Sequence, residues 1–101
     1  MSVVVIGRFP VADVATARQA IASQAALIEE ISEDSKKLGS EHHRYGEGDG
    51  ELVVIDEWQS AEGFQRFFEG NPKVQQVIES VGVQGPPNIA IFRVVEAPGT
   101  F

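Results

Sequence analysis

Apolar and polar positions alternate with two different periods along this chain. Ser2 to Phe9 is nearly all β-branched or aromatic and halts at Pro10, which has no N–H to give a central ladder, so a first strand is predicted there. From about Asp13 to Lys37 the residues Val14, Ala17, Ile21, Ala25, Ile28 and Ile31 recur at threes and fours, with Arg18, Gln19, Glu29, Glu30 and Glu33 on other faces. That spacing predicts one long amphipathic helix, stopped by Gly39. Glu41 to Tyr45 and Leu52 to Trp58 are extended segments on either side of Gly46-Glu47-Gly48-Asp49-Gly50, a glycine-rich hairpin turn joining strands two and three. Ser60 caps a short helix whose Phe64, Phe67 and Phe68 share a face before Gly70. Asn71-Pro72 then starts another, with the apolar stripe Val74, Val77, Ile78 and Val81. Ile89 to Val95 is a fourth strand, and Ala97 to Phe101 is a tail.

The order β-α-β-β-α-α-β is the split βαβ pattern of ferredoxin-like α+β domains, with the second helix in two pieces and an antiparallel four-stranded sheet, all within a single domain of residues 1–101. Such a sheet carries helices on one face, so its strands should alternate apolar and polar. These do not. Val3, Val5 and Phe9 oppose Val4 and Ile6; Leu52 and Val54 oppose Val53 and Ile55; Ile89, Ile91 and Val95 oppose Ala90, Phe92 and Val94. A sheet that is apolar on both faces needs a second layer, and a homodimer packed sheet to sheet would supply it.

Composition narrows the chemistry. With no cysteine among 101 residues there is neither a disulfide framework nor a thiolate nucleophile, which leaves His, Asp and Glu as metal ligands and fits a reducing compartment. Fifteen Asp and Glu against eight Lys and Arg give a net charge of -7, which repels phosphate backbones and argues against a nucleic-acid partner. The run Val3 to Ile6 is too short for a signal-peptide core and no window approaches a membrane span, so no membrane partner and a cytoplasmic location are expected.

Few residues offer reactivity. His42 and His43 are adjacent, and neighbours on a strand point to opposite faces, so the pair can share a metal ion only if the strand is bulged or absent. Either imidazole is the best general base in the chain, set against the plainer reading of a polar hairpin end. Arg44 and Tyr45 also oppose one another, and one of them can reach a substrate oxygen. Trp58 serves equally as pocket wall or core anchor, and the Phe64, Phe67 and Phe68 stripe is what any helix packed on a sheet requires. Arg8 and Arg93 interrupt apolar strands and call for carboxylate partners such as Asp56 or Glu57.

Over most of the chain, and most tellingly from Gly50 to Val81, the residues resemble the antibiotic biosynthesis monooxygenase domains of the dimeric α+β barrel superfamily. The likeness lies in the strand Leu52-Val53-Val54-Ile55-Asp56-Glu57-Trp58, then Gln59-Ser60-Ala61-Glu62, Phe64, Phe67 and Asn71-Pro72-Lys73-Val74, with Gly85-Pro86-Pro87 before the last strand. The resemblance implies a dimeric barrel and an apolar pocket between sheet and helices, where an electron-rich phenol or anthrone reacts with oxygen without a flavin or metal cofactor. Trp58, Phe64 and Phe67 match the family's pocket walls, and His42, His43, Arg44 and Tyr45 are the polar groups placed to reach it. Haem-degrading relatives carry an axial histidine and a tryptophan where this chain has Val77 and Phe67. Neither residue ligates iron, so haem is disfavoured. The superfamily leaves three functions open: a monooxygenase of a small aromatic or polyketide-like substrate, a non-catalytic dimeric ligand-binding domain, and an isomerase or dehalogenase-like enzyme.

Overall fold

The computed structural model describes residues Met1–Phe101. The chain runs β1 (Val3–Pro10), α1 (Val14–Ala22), α2 (Ala25–Lys37), β2 (Ser40–Gly48), β3 (Glu51–Trp58), α3 (Ala61–Gly70), α4 (Pro72–Ser80) and β4 (Asn88–Arg93). The four strands form one sheet in the order β2-β3-β1-β4, and every neighbouring pair is antiparallel. The expected α+β class and split βαβ order are both present.

The expected single helix over Asp13 to Lys37 is two helices. Ser23 and Gln24 interrupt it, and both side chains reach back to the Ala20 carbonyl, at 2.9 Å from Ser23 Oγ and 2.8 Å from Gln24 Nε2. Side chains that hydrogen-bond nearby backbone offer the chain an alternative to continued helix. Gln24 Nε2 also donates to Ser80 Oγ at 2.7 Å, which fixes the bend against α4.

The hairpin differs as well. Strands β2 and β3 run on to Gly48 and Glu51, so the turn is only Asp49-Gly50, with Gly50 at φ +71 where a side chain would be strained. Gly46 to Gly48, expected in the loop, belong to the ladder. The two later helices start as expected. Ser60 Oγ accepts from the Gly63 N–H at 3.0 Å, and Asn71 Oδ1 accepts from the Lys73 N–H at 3.0 Å with Pro72 in the first turn. Gly63 has no substitute, since a Cβ there would lie 2.3 Å from the Leu38 carbonyl oxygen.

Period-two alternation divides the sheet cleanly. Val3, Val5, Phe9, Leu52, Asp56 and Trp58 face the helices and are buried, whereas Val4, Ile6, Val53 and Ile55 face away and remain half-buried or exposed. Arg8 lies on that outer face, where Glu51 takes its guanidinium through two 2.8 Å hydrogen bonds. Neither Asp56 nor Glu57 is its partner, because Glu51 extends β3 to the Arg8 end of the ladder. Arg93 forms no ion pair. No helix of the chain is long and apolar enough to cross a membrane.

Candidate active site

Only 14 of 101 residues are buried, and the ten hydrophobic ones fall into two clusters, one of six around Trp58 and one of four around Phe9. Between sheet and helices, and lined by members of both clusters, is a cavity of about 140 Å³. Seventeen of its 23 lining residues are hydrophobic. The side-chain polar groups are concentrated along one rim, contributed by Ser32 and Ser35 of α2, Ser40, His43 and Tyr45 of β2, and Asp56 of β3. Ser35 Oγ is already spent on the Ser32 carbonyl at 2.7 Å.

Strand geometry builds the centre of that rim. Asp56 and Trp58 are two apart on β3 and share its inner face, and the ladder sets His43 directly opposite Asp56. Asp56 is 6% exposed, which obliges its carboxylate to find donors. It has two: His43 Nδ1 lies 2.5 Å from Oδ1, and the Trp58 indole N–H donates to Oδ2 at 3.2 Å. An ionised carboxylate only accepts, so Nδ1 carries the proton and, in the neutral ring, Nε2 is left as the free lone pair. The His43 side chain keeps 38% of its surface open.

Tyr45 stands beside it with its ring edge-on to the imidazole, centroids 4.7 Å apart. Burial, and then the Asp56 carboxylate, push the Tyr45 phenol above its usual range, so its hydroxyl stays a proton donor at neutral pH. The far wall is aromatic. Trp58 packs edge-on to Phe64 at 5.6 Å and tilted to Phe67 at 5.3 Å, and Phe68 stacks on Phe64.

His43, Tyr45, Trp58, Phe64 and Phe67 thus meet at one cavity. His42 and Arg44 do not. A β-bulge at Glu41 precedes them, but from His42 onward the ladder is regular, so both point to the outer face and are exposed. This corrects the expectation that Arg44 reaches the pocket and settles which histidine lines it. The two imidazoles point to opposite faces of the ladder and cannot close on one ion. Val77 and Phe67 both line the cavity, and neither side chain has an atom that ligates iron. Asp56 was missed as a site residue. The available signal was a carboxylate two residues before a tryptophan, on the alternation of β3 whose other members, Leu52 and Val54, are apolar.

No family model and none of the curated proteins matches the sequence. Solved structures do match. SnoaB, a cofactor-independent oxygenase from Streptomyces nogalater, superposes with a TM-score of 0.67 at 17% identity over 98% of both chains. A monooxygenase from the gene ActVA-Orf6 of Streptomyces coelicolor, solved in complex with nanaomycin D, gives 0.67 at 21% identity over 97% of this chain and 93% of its own. The fold is that of the antibiotic biosynthesis monooxygenases. A further protein of that description gives a TM-score of 0.63 at 12% identity, covering 95% of this chain and all of the other. Antibiotic biosynthesis monooxygenase folds therefore frame the whole chain, although identities this low carry the architecture alone.

Proposed function

We propose that the protein is a cofactor-independent monooxygenase that oxidises a small phenolic substrate with O2, using His43 as the general base. The observation that carries this reading is the His43–Asp56 pair set into the polar rim of an otherwise apolar, aromatic-walled cavity. An electron-rich phenol reacts with oxygen only once deprotonated, so the site must take a proton, hold the phenolate and keep water off the ring. Nε2 of His43 is the acceptor, with Asp56 holding the ring in that tautomer and stabilising the imidazolium that forms. The Tyr45 hydroxyl is the donor placed to hold the phenolate oxygen. The phenolate passes one electron to O2, and the resulting radical pair combines at ring carbon as a peroxide. Loss of water from the protonated peroxide leaves the quinone, so that a phenol and O2 give a quinone and H2O.

The cavity volume bears on the substrate. An apolar cavity of about 150 Å³ admits benzene, so this one, at about 140 Å³, encloses a single aromatic ring, and any further ring lies outside it. A homodimer belongs to the same reading. Ile55 and Phe92 are 43% and 53% exposed on the outer face, which is the surplus apolar surface that a second sheet would cover.

The test is oxygen uptake with hydroquinones and electron-rich monophenols, one O2 consumed per substrate. His43→Ala should lower kcat by about 10²- to 10⁴-fold, the usual worth of a positioned base, and His42→Ala should leave it unchanged. A proton-shuttling isomerase could use the same pair. Turnover that continues without oxygen would favour that function over oxygenation.

A further inference from the structure

Beside the cavity, between α1 and the hairpin end of β2, runs a more open groove lined by Arg18, Ile21, Tyr45, Gly46, Glu47 and Leu52. Ile21, Tyr45 and Leu52 line both spaces, so the two adjoin as neighbouring lobes along these three side chains. The lobes differ in chemistry. The enclosed one is apolar apart from its rim, whereas the open one holds Arg18, the only Arg or Lys lining either space.

Arg18 is weakly engaged. Its Nη1 donates to Glu47 Oε1 at 3.1 Å, and no other hydrogen bond from its guanidinium is made. The side chains are 60% and 46% exposed, and an exposed ion pair of this kind contributes little that a ligand could not replace. One of five N–H donors is used, so the planar fork that receives a carboxylate in two parallel hydrogen bonds is still open. Glu47 likewise keeps its Oε2 free, so the net charge of the arm that the groove accepts is decided by which partner of the pair a ligand displaces. The surroundings sharpen the selection. A chain of net charge -7 repels anions generally, so an anionic group is held only where a local cation outweighs that field.

From this geometry, and resting on the phenol-binding reading of the cavity, we infer that the substrate is a phenolic acid: its ring occupies the enclosed lobe against Trp58, and a carboxylate on a short side arm passes Tyr45 to pair with Arg18. The arm fixes which end of the ring meets His43, because the charged end cannot enter the apolar lobe. Arg18 is then a specificity residue remote from the reacting atoms.

Trp58 is the only tryptophan and lines the cavity, so its fluorescence reports ligand in the enclosed lobe without any turnover. Three probes are titrated into the full chain: para-hydroxyphenyl propanoate, its methyl ester, and para-hydroxyphenylethylamine. The acid should bind about tenfold more tightly than the ester, and the amine more weakly than either. Arg18→Gln should abolish the preference for the acid while leaving ester binding intact, which also shows that the variant is folded. Glu47→Gln should strengthen acid binding and leave the ester unchanged. Equal binding of acid and ester overturns the role of Arg18 while leaving the cavity reading standing, and preference for the amine assigns the groove to Glu47 and a cationic arm instead. No quenching by any of the three overturns both readings together.

Discussion

Two adjacent histidines lie on opposite faces of one sheet and have opposite surroundings. His43 is fixed by a buried carboxylate at the rim of a cavity, whereas His42, one residue earlier, points away from the helices and is exposed. The same division holds along the neighbouring strand. Asp56 and Trp58 on the inner face are buried and bonded to each other, while Ile55 and Glu57 on the outer face are partly open. A strand's alternation sends successive side chains to opposite sides, and the proposed function puts chemistry on the inner side and assembly on the outer one. Chemistry collects on the inner face because the helices enclose it and a buried carboxylate must order its donors. The outer face is apolar without a cover, a surface suited to association.

The largest expected effect is on the inner face itself. Trp58→Ala removes a fully buried side chain that walls the cavity and bonds Asp56, and should cost about 3–5 kcal/mol of stability in chemical denaturation followed by circular dichroism. A loss below about 1 kcal/mol would mean that the inner face does not depend on its aromatic wall. Next, Asp56→Asn keeps the volume but presents an amide with one acceptor and one donor group to two N–H groups. Facing Nδ1 with its NH2, it forces the His43 proton onto Nε2, and kcat should fall by about 10²- to 10⁴-fold with little change in fold, as expected for a positioning residue whose loss leaves the wrong tautomer.

The outer face is tested by Ile55→Glu. In a sheet-to-sheet dimer this places an unpaired carboxylate in the interface, and association measured by sedimentation should weaken by roughly a hundredfold or more, about 2.7 kcal/mol. The His43–Asp56 bond should be untouched. A wild-type chain that is monomeric at micromolar concentration would remove the assembly half of the comparison. The smallest effect concerns the helical cover of the inner face. Asp34 of α2 accepts from Lys73 Nζ at 3.0 Å and from Asn71 Nδ2 at 2.9 Å, tying α2 to the start of α4, and these bonds, Lys73 first, hold its carboxyl below the usual range. A depressed carboxyl stabilises the fold above the ordinary aspartate value of about 3.9, and the contribution is lost as pH falls through the lower folded value. Wild type should therefore exceed Asp34→Asn in stability at neutral pH, with the gap closing below about pH 4. A gap independent of pH would show that the clasp is not electrostatic.

Much of this division is readable in the sequence. Inward and outward residues of β1 and β3 follow from alternation alone, and the caps at Ser60 and Asn71 follow from their side chains. The His43–Asp56 pair does not follow, because it depends on hairpin register. A loop over Gly46 to Gly50 sets Tyr45 opposite Glu51 and His43 opposite Val53. The tighter turn at Asp49-Gly50 sets Gly48 opposite Glu51 and brings His43 to Asp56. Glycines permit either turn, and the choice is made by the added ladder bonds of Gly46 to Gly48 rather than by any local preference. The break at Ser23-Gln24 was hidden for a related reason. The apolar spacing continues across it, and the Gln24–Ser80 bond that fixes it exists only once the bend lies against α4.

In the proposed function the inner-face histidine is held as a base by Asp56, while its neighbour is not. Nitrogen chemical shifts of the two imidazoles in ¹⁵N-labelled protein test it without a substrate. In its neutral form His43 should show a protonated Nδ1 and a bare Nε2, and His42 the averaged shifts of a solvated ring, with Asp56→Asn erasing the difference or inverting it at His43. Indistinguishable spectra for the two histidines, or a His43 protonated at Nε2 in the wild type, would contradict the account.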